Sequence, residues 1–80
     1  MEPQAIQQLI EAALPGAKVQ VAGDGRHFEA VVVSDAFEGK SMLQQHRLVY
    51  AALGERFQND AVHALSVKTY TEQEWARAQG

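Results

Sequence analysis

The chain has 80 residues, of which 46% are hydrophobic and 21% charged, with a formal net charge of -3. Such a length is one domain, residues 1–80, with a composition near globular averages and no electrostatic case for bulk nucleic-acid or anionic-membrane binding. There is no cysteine, so no disulfide staples the fold and no thiolate of this chain can hold a metal or attack a substrate.

The N-terminal stretch MEPQAIQQLIEAAL is acidic and amphipathic and reads as neither a secretory signal nor a membrane span, so the expected compartment is the cytoplasm. Pro3 suits a first helical position, Ile6, Leu9, Ile10 and Ala13 make one apolar stripe, and Pro15-Gly16 stops the helix. AKVQVAG alternates as a short half-buried strand. Gly23-Asp24-Gly25 is a hairpin-turn signal. HFEAVVVS is the second strand, with Phe28, Ala30 and Val32 on one face. Its run from Ala30 to Val33 is apolar on both faces, which marks a central strand.

DAFEGK is a connector. Ser41 with Gln44 predicts a capping box for a long helix reaching roughly Arg56. At about 100° per residue, Met42, Leu43, Val49, Tyr50, Leu53 and Phe57 form its apolar stripe, with His46 near the middle, Arg47 at the margin, and Gln44 and Gln45 farther away. The third strand spans Val62 to Thr69, with His63 at its start. Thr71 and Glu74 cap a last helix carrying Trp75.

The order α-β-β-α-β-α predicts an α+β fold with a three-stranded mixed sheet and class II KH-like topology. Strands two and three should pair in parallel through a right-handed crossover, so both begin at one rim of the sheet. His27 and His63 then emerge near each other without being close in sequence.

Motifs for other chemistry fail. EGKS resembles the end of a P-loop, but Ser34 stands where the first glycine belongs. No two glycines are three apart, so the RNA-gripping GXXG loop of KH domains is missing. The serines lack nucleophile-elbow contexts and the carboxylates are unpaired, so no enzyme is expected. Lys40, His46 and Arg47 are the candidate nucleic-acid contacts, though a solvated helix margin explains Lys40 and Arg47 more simply. Each histidine has a bland reading as a packed or strand-end residue. The predicted convergence of His27 and His63 favours ligation, because imidazole is a common metal ligand near neutral pH. Two ligands are too few for a closed zinc site and suit the completion of a site on another protein.

The segments FEAVVVSDAFEGKSMLQQHRLVYAAL and VHALSVKTYTEQEW resemble the BolA family, and the GDGRHF entrance looks like its IbaG-type members. The resemblance covers about residues 3 to 77. It implies partnership with monothiol glutaredoxins and a bridging two-iron two-sulfur cluster, shared with the glutaredoxin cysteine and glutathione. It also implies that His63 matches the family's C-terminal histidine ligand. The second ligand of many members is a cysteine in the loop between the first two strands. Here Asp24 occupies roughly that position, and His27 is the available substitute. Imidazole in place of thiolate would raise the cluster's reduction potential. The family also includes DNA-binding stress and transcriptional regulators, which makes DNA a second candidate partner. A third reading is a metal-free protein-interaction domain. The sequence leaves homodimerisation open.

Overall fold

The computed structural model describes residues 3–24, 26–54 and 65–79. Helix α1 spans Pro3–Ala13, strands β1 and β2 span Lys18–Gly23 and Phe28–Val33, helix α2 spans Met42–Leu53, strand β3 spans Leu65–Tyr70, and helix α3 spans Glu72–Gln79. A single 3-10 turn, Asp35–Phe37, lies between β2 and α2. The sheet order is β1-β2-β3, with β1 antiparallel to β2 and β2 parallel to β3. The predicted α+β architecture and the central place of β2 follow from its two-sided apolar run.

Alternation decides the two faces of the sheet. Phe28, Ala30 and Val32 are buried together with Val19 and Leu65, and Ile6 and Ile10 of α1 and Val49 and Leu53 of α2 pack onto them. Val33 points the other way and is also buried. Its register partners Lys18 and Tyr70 explain this. Lys18 Nζ meets Glu72 Oε2 at 3.3 Å, and the rings of Tyr70 and Trp75 lie 5.2 Å apart. Helix α3 is thereby held over one end of the second face. Its cap is the predicted box, with the Thr71 N–H donating to Glu74 Oε1 and the Glu74 N–H to Thr71 Oγ1. Farther along that face Val31 is half-buried, and Gln20, Glu29 and Lys68 are exposed.

Three local expectations need correction. Helix α2 ends at Leu53, with Gly54 at the cap in a φ of 68° that favours glycine. Its buried face is Gln45, Val49 and Leu53, whereas Met42 and Leu43 are 68% and 60% exposed. Hydropathy alone mis-phased the first turn because Gln45 is buried for its hydrogen bonds. Its Nε2 donates to the carbonyls of Phe37 and Lys40, and its Oε1 accepts from Thr69 Oγ1. Third, the connector is part of the core: the Phe37 side chain is 0% exposed. Its turn is held by Ser34, whose Oγ accepts from the Ala36 N–H and whose N–H donates to the Tyr70 carbonyl. Phe57 and the expected strand start at Val62 lie outside the described residues.

Candidate functional site at the strand entrances

The pairing of Phe28 with Leu65 places the entrances of β2 and β3 at one rim of the sheet, as the β-α-β order predicts. His27 immediately precedes Phe28. It is a loop residue rather than the first strand residue, and it is exposed. His63 lies outside the described residues, so the convergence of the two rings is not described. An open pocket of about 330 Å³ sits at this rim, lined by Gly23, Asp24, His27, Glu29 and Ser66 among others.

The loop is built by one carboxylate. Asp24 Oδ1 accepts from the N–H groups of Arg26 and His27, both at 2.8 Å, the side-chain-to-backbone turn typical of aspartate. The Asp24 N–H donates to the His27 carbonyl at 3.2 Å, closing the hairpin. Gly23 is needed beside it, because a Cβ there would lie 2.7 Å from the His27 carbonyl oxygen and would collide with the Phe28 ring. The hydrogen bonds at His27 thus run through its backbone and fix where its imidazole leaves the chain.

These N–H donors, His27 first and Arg26 second, hold the Asp24 carboxyl below its ordinary value of 3.8. A lowered acid contributes order that is complete above the ordinary value and is lost as the pH falls through the lower, folded value. The Arg26 and His27 amide resonances should therefore shift together only below about pH 3.8. Asp24→Ala should release both at neutral pH, as faster amide exchange. Amides that exchange equally fast in both proteins would contradict this role for Asp24.

The other expected contacts lie elsewhere. Lys40 and Arg47 are exposed and His46 is half-buried; His46 lies beside β3, in a groove with Met42 and Val67. Among the described residues, no group of three or more His, Asp or Glu side chains is placed to hold a metal ion. Sequence reasoning took Gly23-Asp24-Gly25 as a turn signal and missed that the Asp24 side chain builds the turn, although an aspartate bonding the backbone two residues on is a usual turn device.

A family model described as BolA-like protein matches residues 5–74. The acid stress protein IbaG of Escherichia coli K12 is 40% identical over 77 residues, covering 96% of this chain and 92% of that protein. The DNA-binding transcriptional regulator BolA of the same organism is 45% identical over 58 residues, covering 72% of this chain and 54% of that protein. Among solved structures, a BolA homologue from Coxiella burnetii superposes with a TM-score of 0.82 at 47% identity, covering 96% of this chain and 99% of that one.

Proposed function

Since this chain belongs to the BolA family, we propose that it is a non-enzymatic partner of a monothiol glutaredoxin in iron–sulfur cluster assembly, trafficking or redox sensing. In this reading His63 and His27 are its donors to a two-iron two-sulfur cluster bridging the two proteins, completed by the glutaredoxin cysteine and glutathione. The observation that carries the reading is the pairing of Phe28 with Leu65. It sets the starts of β2 and β3 at one rim, which supports the reading because His27 directly precedes Phe28 and His63 stands two positions before Leu65 in the sequence. Covalent geometry alone tethers His63 within about 7 Å of Leu65.

The donor set suits a borrowed site. With no cysteine in the chain, the thiolates must come from the partner, and neutral imidazole complements them. Asp24 orients the loop that presents His27, and Gly23 lets that loop close. The cluster, when bound, supplies the redox chemistry; the chain's own residues position the donors.

The test is anaerobic reconstitution of this chain with a monothiol glutaredoxin, glutathione, iron and sulfide. A one-to-one complex with visible charge-transfer absorption is expected. Recovery of the cluster only in glutaredoxin homodimers, with this chain left apart, would sink the reading.

A second reading has one observation in its favour. The regulator BolA, whose length this chain covers by about half, is described as DNA-binding, and α2 presents exposed Arg47 close after exposed Lys40. As a DNA contact this surface would lose affinity steeply as salt rises. A titration on duplex DNA with no binding at low salt removes it.

A further inference from the structure

The groove beside α2 carries a different message from the rim. Its lining includes Val67, Lys68, Thr69 and Tyr70, four consecutive residues of β3, together with Met42 and His46 of α2. Consecutive strand residues point to opposite faces. A groove that touches all four therefore runs along the edge of the strand, not over one face. β3 is an outer strand of the sheet, and among the described residues no strand pairs with its outer edge.

Two further features bear on what fits there. Met42 and Leu43 are the exposed large hydrophobic side chains of the described residues, and Met42 stands in the groove wall. The groove lining carries one cation, Lys68, and no carboxylate. Helix α2 holds His46 and Arg47 and no carboxylate between Met42 and Leu53, and Lys40 precedes it. Lys68 reaches Glu29 at 3.4 Å, but both side chains are more than half exposed, and such a pair is weak enough to open. A basic, apolar-lipped edge thus sits on a chain whose net charge is -3.

We propose that this edge accepts an extended acidic segment of another protein as a fourth strand. Main-chain hydrogen bonds to β3 would supply the pairing. Apolar side chains of the segment would rest on Met42, with Leu43 next to it on α2, and its carboxylates would meet Lys68, with Arg47 and Lys40 farther along the helix and its approach. Charge complementarity selects this occupant. A second copy pairing antiparallel through its own β3 in the register centred on Lys68 would set that lysine against its equal, and like charges across a strand pair repel. A nucleic-acid backbone would gain nothing from the two apolar side chains. The groove occupies the far half of β3 from the rim, so the inference does not rest on the cluster reading.

Display of random dodecapeptides against the full chain tests it, with Met42→Ser/Leu43→Ser as counter-bait. Enriched peptides should alternate acidic and apolar residues. The best of them, synthesised, should bind at least tenfold more weakly to the double variant and should slow amide exchange in β3. Lys68→Glu should weaken these peptides and favour basic ones, which covers the case of a misfolded double variant. The proposal is overturned if no peptide enriches, if basic peptides enrich on the native chain, or if affinity ignores all three substitutions. Duplex DNA that displaces the peptide and binds the double variant as well as the native chain would also overturn it.

Discussion

Phe37→Ala should destabilise this protein by about 3–5 kcal/mol, the range for a large aromatic lost from a closed core. The side chain is 0% exposed and belongs to the cluster of Ile6, Ile10, Val32 and Val49. The site cannot easily collapse around the loss, because its backbone is held on three sides. The Phe37 carbonyl accepts from Gln45 Nε2 and from the Lys40 N–H, both at 3.2 Å, and the Phe37 N–H donates to the Ser34 carbonyl. A domain of this size has on the order of 4–12 kcal/mol in total, so the variant should melt about 12–40 °C lower. Phe37→Leu, closer in volume, should cost far less. A fall of less than about 5 °C for the alanine variant would mean that the 3-10 turn is not part of the core.

With His63 as the proposed ligand, His63→Ala should strip the cluster from the glutaredoxin complex. The expected effect is a cluster lost from the glutaredoxin complex on the order of a hundredfold faster or more, at or above the loss seen when only an outer-shell partner is removed. His27→Ala should act in the same direction and less strongly, since its loop already holds Asp24 as an alternative oxygen donor. His27→Ala should melt like the native protein, because His27 is exposed and its hydrogen bonds are made by its backbone. If His63→Ala forms the complex with unchanged absorption and lifetime, the ligand assignment fails while the family membership stands.

The contrast between these two residues shows what was legible in the sequence. The sheet was legible because strand alternation and the two-sided run of β2 are direct consequences of burial. The shared rim was legible because a parallel β-α-β unit must start both strands on the same side. Phe37 was not assigned to the core, since a connector has no period to read. Gln45 was misplaced for a related reason: its burial satisfies turn carbonyls and a threonine hydroxyl, which hydropathy does not count. The same blindness put Met42 and Leu43 inside. Their exposure depends on where the first turn of α2 lies relative to the sheet edge, a tertiary fact. At the site, the place of His27 at the rim was legible from the strand order, although it is a loop residue and not the first strand residue, whereas the carboxylate that builds its loop was read only as a turn residue. The expectation for His63 rests on the family resemblance and on chain connectivity to Leu65.

The most direct test of the account is whether imidazole nitrogen binds iron in the complex. The measurement is pulsed electron paramagnetic resonance of the reduced, reconstituted complex, with this chain uniformly labelled with nitrogen-15. Strong couplings from two histidine nitrogens are predicted, with one lost in His63→Ala and the other in His27→Ala. A spectrum with no histidine coupling, or one unchanged by His63→Ala, would contradict it.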